Sequence, residues 1–127
     1  MPTPVQQWMI RARYDMETAE ILLSNRRYLY VLFCCQQAME KALKAQIAKR
    51  TGEHPPRLHN LVILAERAGI TLDESRMALF RLLNNYYISS RYPEELQRDE
   101  ANVAEPDAAG ALNGSREMLR WLESMLE

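Results

Sequence analysis

Apolar residues recur at helical spacing along most of the chain, and the longest such run lies between Tyr28 and Gly52. Strong helix formers fill the part after Cys35, which supports a long amphipathic helix. Gly52 follows the basic pair Lys49 and Arg50 and predicts the helix end, because glycine adopts the left-handed C-cap conformation and cations favour the negative end of the helix dipole. The apolar positions that return to one side are Tyr28, Val31, Leu32, Cys35, Ala38, Met39, Ala42, Ala45 and Ile47.

The polar residues of this helix lie beside its apolar stripe rather than opposite it. They are Gln37, Glu40, Lys41 and Lys44. Residues three or four apart on a helix project together. We therefore expect this flank to meet other polar groups of the fold.

A first helix is predicted from Thr3 to about Asn25. Thr3, Pro4 and Gln6 match an N-cap, a first-turn proline and a capping box. Asp15 interrupts the apolar side of this helix, and a carboxylate in such a position needs a partner or water. The short connection after Asn25 predicts that the first two helices are antiparallel neighbours.

Two shorter helices are predicted in the middle of the chain. After a loop with two prolines, a third helix is expected over about residues 59–68, and Gly69 ends it. Thr71 and Glu74 offer a capping box for a fourth helix. Its apolar spacing continues to about Ser89.

The last part of the chain predicts a loop and then a helix. Residues 93–105 are polar and acidic, and indicate a loop with at most one helical turn. Pro106 and Asp107 suit the first turn of a final helix. Gly110 and Gly114 either weaken this helix by roughly 1 kcal/mol each or allow a neighbouring helix to approach closely. Because no segment alternates with a strand period, the predicted fold is all-α, an antiparallel up-and-down bundle of four to five helices.

Length and composition indicate one globular domain over residues 1–127. The chain is 47% apolar and 26% charged, with a net charge of -1, so any nucleic-acid binding must come from a local patch. Cys34 and Cys35 are adjacent in the middle of a helix and are badly placed to pair with each other, which indicates reduced thiols and a cytoplasmic protein. No apolar run is long enough for a signal peptide or a membrane span.

The candidate chemistry is limited because the chain has only two histidines. No spacing typical of a zinc or di-iron site occurs, so we expect no metal and no cofactor. Lys41, Lys44 and Arg91 would suit a phosphate if they converge, with Tyr92 as a stacking face. The polar residues set on otherwise apolar helices are Asp15, Gln37, Glu40, Lys41, Lys44, His59, Tyr86, Arg91 and Tyr92.

Each of these residues also has a purely structural interpretation. Glu40 and Lys44 are spaced for a surface ion pair worth about 0.2–0.5 kcal/mol. Asp15 would then pair with Lys41 or Arg91 and fix the register of the first helices. His59 would be a helix-start residue that bonds to the backbone.

Four short strings are spaced along nearly the whole chain, over roughly residues 5–125. They are Asp15 with Ala19, the run from Gln37 to Lys44, Pro56 with His59-Asn60-Leu61, and Tyr87 with Arg91-Tyr92-Pro93. In order and spacing they resemble the HEPN family (higher eukaryotes and prokaryotes nucleotide-binding domain). The string QQAMEKALKA is the most specific part of the resemblance.

The resemblance implies a helical bundle, commonly dimeric, that acts beside a separately encoded minimal nucleotidyltransferase, in some cases as a toxin–antitoxin pair. Family members that cleave RNA without metal carry an arginine and, after four to six intervening residues, a histidine. Arg91 matches the arginine. The downstream positions hold Leu96, Gln97 and Arg98, and no histidine follows them.

Three functions follow from these observations. The first is a nucleotide- or phosphate-binding module that works with the nucleotidyltransferase and binds through Asp15, Gln37, Lys41, Lys44, His59, Arg91 and Tyr92. The second is a metal-independent RNase toxin, in which His59 acts with Arg91 in place of the absent downstream histidine. The third is a non-catalytic helical scaffold that docks a partner. A homodimer is expected in addition, because Trp8, Trp121 and the many methionines exceed what a small bundle easily buries.

Overall fold

The structure, a computed structural model, describes residues 1–88 and 91–127, and the regular secondary structure of these ranges is entirely α-helical. The prediction of an all-α fold is confirmed. The predicted count of four to five helices is too low by one or two, because part of the expected acidic loop is helical. The six helices are α1 (Pro4–Ser24), α2 (Tyr28–Thr51), α3 (Leu61–Arg67), α4 (Glu74–Asn84), α5 (Pro93–Asn102) and α6 (Glu105–Ser124).

The ends of α1 and α2 are determined by the local signals that the sequence shows. The Thr3 hydroxyl accepts a hydrogen bond from the Gln6 backbone N–H at 3.1 Å, and the Gln6 side chain accepts one from the Thr3 N–H at 2.8 Å. Gly52 caps α2 in the left-handed conformation with φ 72°, and its N–H donates to the Ala48 carbonyl. Both predicted caps are therefore confirmed.

The start of α3 differs from the prediction by two residues. His59 lies before the helix, and Asn60 is the N-cap, since its side-chain oxygen accepts from the N–H groups of Val62 and Ile63. The imidazole of His59 is therefore free of the helix and can point toward α2.

The bounds of α4 also differ. The N-cap is Asp73 rather than Thr71, because the Asp73 carboxylate accepts from the Arg76 N–H at 2.9 Å. The helix ends at Asn84, so the predicted continuation through residues 85–88 is wrong, and Ser89 lies outside the described residues.

The expected loop over residues 93–105 contains helix α5. Pro93 occupies the first turn, and Glu94 and Glu95 follow it there, an arrangement that favours a helix start. None of its residues is buried. This helix therefore lacks the apolar stripe from which the other helices are recognised.

The hydrophobic core lies around α2. Ala38, Met39, Ala42 and Leu43 of this helix are fully buried and pack within one continuous cluster that includes residues of α1, α3, α4 and α6. The three-residue connection over residues 25–27 makes α1 and α2 antiparallel neighbours, as predicted.

Helix α6 runs antiparallel to α1 and parallel to α2. Ion pairs join Arg13 to Glu123 and Glu20 to Arg116, so the two sequences run in opposite directions. The Lys49 ammonium donates to the Leu126 carbonyl at 2.9 Å, near the end of both α2 and α6. The bundle is therefore up-and-down only for α1 and α2, since the chain returns through α3, α4 and α5 before α6 begins.

The two tryptophans pack within the monomer. Trp8 and Trp121 are half-buried against the core, and each ring is covered by a cation. The Lys44 ammonium lies 5.6 Å from the Trp8 ring and the Arg76 guanidinium 3.7 Å from the Trp121 ring. Because both tryptophans pack within one chain, they do not support the homodimer, which stays a prediction. Across the described ranges, no helix has both the length and the apolar character of a membrane span.

Candidate functional site

The polar flank of α2 forms a buried network around Glu40. Its carboxylate accepts hydrogen bonds from the Lys44 ammonium at 3.0 Å and from the Gln36 amide at 3.2 Å. It also lies 2.9 Å from Nδ1 of His59. The flank meets polar groups from elsewhere in the fold, as predicted. Glu40 and Lys44 are only 5% and 6% exposed, so the interpretation as a surface pair is wrong.

The ion pair between Glu40 and Lys44 is buried, so each charge needs its partner. Two charges removed from water are stable only when each keeps its partners. Lys44 has Glu40 as its counter-charge and the ring of Trp8 beneath it. Lys44 is therefore part of the support of the site rather than an accessible phosphate ligand.

His59 is the accessible member of the network, with a side chain that is 45% exposed. Its backbone carbonyl accepts from the Gln36 amide at 3.0 Å. Its ring stacks on Tyr87 with centroids 4.2 Å apart, and Nε2 lies 3.1 Å from the Tyr87 hydroxyl. These contacts hold the imidazole in one orientation while water still reaches it.

Gln36 and Tyr87 are the two residues of this network that the sequence analysis did not select. Gln36 precedes Glu40 by one helical turn, so its spacing was the available signal. Tyr87 occurs in one of the four strings described above, although its contact with His59 depends on how α4 packs beside α2.

A second ion pair joins α1 to α2. The Lys41 ammonium donates to the Asp15 carboxylate, and both side chains are half-buried. The sequence had left Lys41 and Arg91 as alternatives for Asp15, and the structure selects Lys41. The Gln37 amide donates to the Gln36 side-chain oxygen at 2.7 Å, which connects this side of α2 to the Glu40 network.

Cys34 lies near the Asp15–Lys41 pair, and both it and Cys35 are held protonated. Burial raises the pKa of Cys34 to about 11, and the negative charge of Asp15 adds to the effect. Burial also raises the pKa of Cys35 to about 12. Neither thiol is a nucleophile at neutral pH, because the thiolate is the reactive form.

Arg91 lies at the junction of α4 and α5. Its guanidinium donates to Asp99 at 2.8 Å, lies 3.8 Å from Glu95, and donates to the Asn85 carbonyl. Tyr92, the N-cap of α5, is 68% exposed. Arg91 is therefore an engaged cation with an exposed aromatic ring next to it.

Tyr86 is half-buried in the same region. Burial raises the pKa of its hydroxyl, the carboxylates of Asp99 and Asp107 raise it further, and the Arg91 charge opposes them. The Tyr86 hydroxyl is therefore neutral at physiological pH and can only exchange hydrogen bonds there.

The expected convergence of Lys41, Lys44 and Arg91 is not formed by direct contacts. Among the described residues, no hydrogen bond or ion pair joins Arg91 to Asp15 or to either lysine. Each cation instead has its own carboxylate partner. The sequence could not show this, because the partners of Arg91 lie in α5, which was read as a loop.

The two groups nevertheless attach to the same end of α4. The Asn84 side chain accepts from the Leu61 N–H at 2.8 Å and donates to the Asn60 side chain. The carbonyl of the next residue, Asn85, accepts a hydrogen bond from Arg91. Tyr87, which follows α4, contacts His59. The residues at the end of α4 therefore contact both the imidazole of His59 and the guanidinium of Arg91.

This arrangement provides groups for phosphate contact and proton transfer. An imidazole can accept or donate a proton, and a guanidinium can bind phosphate through hydrogen bonds. Within residues 1–88 and 91–127, no three histidine, cysteine or carboxylate side chains cluster as a metal site would require.

Comparison with known proteins agrees with this description. The HEPN domain model matches residues 5–125. The structure of TT1696 from Thermus thermophilus is similar, with a TM-score of 0.80 and 24% identity over 94% of this chain and 96% of that one. ST0689, an archaeal HEPN homologue, has a TM-score of 0.70 and 21% identity over the whole of both chains. No curated protein matches the sequence significantly.

Proposed function

Because the chain belongs to the HEPN domain family, we propose that it is a nucleotide- or RNA-phosphate-binding module that works with a separately encoded minimal nucleotidyltransferase as a toxin–antitoxin pair. The phosphate contacts His59 and Arg91, and Tyr92 offers a stacking face for a base. Lys44 forms the buried ion pair that keeps Glu40 in place. The proposal places the protein in the cytoplasm, in keeping with its two free thiols.

The observation that carries the proposal is the placement of His59. A buried carboxylate fixes one nitrogen of its ring, while the side chain stays 45% exposed, beside the segment that holds Arg91. Glu95, at 3.8 Å from Arg91, makes only a weak ion pair. A phosphate can take the place of Glu95 beside Nε at small cost, while Arg91 keeps its 2.8 Å bond to Asp99.

Asp15, Gln37 and Lys41 form the edge of the proposed site on the α1 side. They are half-buried, and the Gln37 side chain is linked to the Glu40 network through Gln36. A ligand that spans from His59 toward α1 would meet the Asp15–Lys41 pair. We therefore expect these residues to tune affinity rather than to provide the main contact.

The binding test uses nucleotides and inorganic phosphate. Titration of ATP, AMP or phosphate to millimolar concentration should shift the NMR amide signals of His59, Tyr87 and Tyr92 and raise the melting temperature. His59→Ala and Arg91→Ala should weaken the response at least tenfold, whereas Arg120→Ala, at an exposed arginine of α6, should leave it unchanged. Unchanged signals with every ligand would leave the docking-scaffold function instead.

The partner test uses the gene next to the one that encodes this chain. If it encodes a minimal nucleotidyltransferase, co-expression should give a complex that survives size-exclusion chromatography. Expression of this chain alone should slow growth, and the partner should relieve the effect. Absence of such a gene, or two proteins that elute separately, would contradict the proposed pair.

A second candidate, a metal-independent RNase, is favoured by the common attachment of His59 and Arg91 to the end of α4. His59 could take the proton from the ribose 2′-hydroxyl, and Arg91 could stabilise charge on the phosphate. Single-stranded RNA incubated with the purified protein in EDTA should be cleaved, and His59→Ala or Arg91→Ala should lower the rate at least a hundredfold. Equal RNA integrity with wild type and both variants would exclude this activity.

A further inference from the structure

The three nitrogens of the Arg91 guanidinium have different surroundings. Nη1 donates a hydrogen bond to Asp99 at 2.8 Å, and Nη2 donates one to the backbone carbonyl of Asn85. Nε has the Glu95 carboxylate beside it at 3.8 Å, which is too far for a hydrogen bond. Nε is therefore the side of the guanidinium that a ligand can take.

Two carboxylates stay close to that position when a ligand binds. Asp99 keeps its hydrogen bond to Nη1, and Glu95 lies in the first turn of α5, so it can leave Nε only by rotating its own side chain. The space beside Nε thus has one positive and two negative charges around it. The side chains of Arg91, Glu95 and Asp99 are 25%, 35% and 23% exposed, so water screens these charges only in part.

No cation next to Arg91 restores the balance. Acidic side chains outnumber basic ones over residues 93–107, where Arg98 is the basic residue. Arg98 is exposed, and no ion pair of the described ranges joins it to Glu95 or Asp99. Both lysines on the polar flank of α2 already have carboxylate partners of their own.

The Tyr86 hydroxyl is affected by the same excess of negative charge. Burial raises the pKa of this hydroxyl, and Asp99 and Asp107 each raise it by more than the Arg91 charge lowers it. A new negative charge on the phenol is therefore opposed by more carboxylate charge than the guanidinium offsets. An additional negative charge on a ligand at the same place meets the same opposition.

We infer that Glu95 and Asp99 make the Arg91 site selective for phosphates that carry a single negative charge. Such a phosphate is a diester, either an internal linkage of a nucleic-acid strand or a cyclic nucleotide. A phosphate monoester carries close to two charges at neutral pH, and its second charge is attracted by one cation and repelled by two anions. The inference rests on the proposed phosphate binding at Arg91 and names the class of phosphate that is bound.

The test compares AMP with the methyl ester of its phosphate, because the two differ by one methyl group and one negative charge. NMR titration of the full chain at pH 7.5 should give a dissociation constant for AMP at least tenfold above that for the ester. At pH 5.5 most of the AMP carries a single phosphate charge, since its second pKa is about 6, and the ratio of the two constants should fall toward one. Protein groups that titrate over this range act on both ligands, so the ratio is the measured quantity.

Two variants test the assignment to the carboxylates. Glu95→Gln and Asp99→Asn each remove one negative charge with little change of shape, and each should lower the ratio at least threefold by strengthening AMP binding more than ester binding. Glu117→Gln is the matched control, because this exposed side chain lines a groove at the start of α4, whereas Arg91 lies beyond its end. The ratio should not change in this control.

The variant at Asp99 needs a check of folding, since this residue also joins α5 to Arg91. Circular dichroism and melting temperature provide the check. If Asp99→Asn does not fold, Glu95→Gln decides the test, because it changes only the contact at 3.8 Å.

The dinucleotide ApA and cyclic AMP distinguish the two sources of a phosphate diester. Both should bind more tightly than AMP, and the tighter of the two identifies the source. AMP that binds wild type as tightly as its methyl ester would overturn the inference, and so would a ratio that neither variant lowers. If none of the four compounds binds, the proposed function fails as well, so the two failures can be told apart.

Discussion

Glu40 is a single carboxylate on which three polar side chains depend. Lys44, Gln36 and His59 all contact it, although it is 5% exposed. At the scale of one residue, this carboxylate links the stability of the bundle to the orientation of the candidate site. Its removal should therefore affect folding and ligand response together.

Glu40→Ala leaves the Lys44 ammonium buried without a counter-charge. The free energy of unfolding should fall by about 3–5 kcal/mol, the usual cost when one side of a buried pair is removed. Lys44→Ala should have a similar cost, and the double variant should cost much less than the sum, because neither charge is then left alone. Urea denaturation measures all three.

The control for this double-mutant cycle of Glu40 and Lys44 is Arg13→Ala. Arg13 pairs with Glu123 on the surface, so its loss should change the free energy of unfolding by about 1 kcal/mol or less. Additive costs of the Glu40 and Lys44 substitutions would show that the two side chains are not coupled.

The raised thiol pKa of Cys35 makes stability depend on alkaline pH. Burial raises this pKa from 9.0 to about 12, so the unfolded chain loses the thiol proton at lower pH than the folded chain. Unfolding then releases a proton, and the free energy of unfolding falls as pH rises above 9, by about 1.4 kcal/mol per pH unit from this thiol.

Cys35→Ala should remove that contribution. Urea denaturation at pH 8, 9 and 10 should show a steeper decline for wild type than for the variant. Since other groups titrate in both proteins, the difference between the curves is the measured quantity. Parallel curves would show that the folded thiol ionises as easily as the unfolded one.

At the scale of helices, the sequence predicts an end well where the signal is local. Thr3 with Gln6 and Gly52 each act within a few residues, and the structure confirms both. Helix α5 was missed because its residues are polar and none is buried. It begins with Pro93 and two glutamates, and its contact with Arg91 joins it to the end of α4, which no periodic pattern reveals.

Two glycines should respond oppositely to alanine. Gly52 has φ 72° with open space around a Cβ, so Gly52→Ala should lower the free energy of unfolding by about 1 kcal/mol through backbone strain alone. Gly110 lies inside α6 with nothing within 4 Å of a Cβ, so Gly110→Ala should raise it by about 1 kcal/mol. Thermal and urea unfolding should give opposite signs, and equal signs would contradict both assignments.

At the scale of the whole molecule, the candidate site was predictable only in part. Lys41, Lys44 and Glu40 share one flank of α2, and their spacing revealed it. The contact of His59 with Glu40, and the separation of Arg91 from the lysines, depend on how α3, α4 and α5 are arranged around α2. Such placements are decided by packing between distant segments, and local pattern carries little information about them.

The helices should differ widely in protection from hydrogen exchange. Helix α2 is largely buried and α5 has no buried residue. Amides of α5 should exchange at least a hundredfold faster than those in the middle of α2, because local opening of α5 exposes little apolar surface. Mass spectrometry of exchanged peptides measures this.

Arg91→Ala is the matching variant, since it removes the ion pairs that hold α5. Exchange should become faster in α5 and stay unchanged in α2. Similar protection of the two helices in wild type would mean that α5 is anchored by more than its surface contacts.

The helix with no buried residue also carries the two carboxylates that neutralise Arg91. If that helix detached, the guanidinium would lose its counter-charges, and the core would lose only the side chain of Leu96 from α5. The protein thus keeps a positive charge shielded by a segment of its own chain, and unmasking it requires the breaking of surface ion pairs and of one apolar contact.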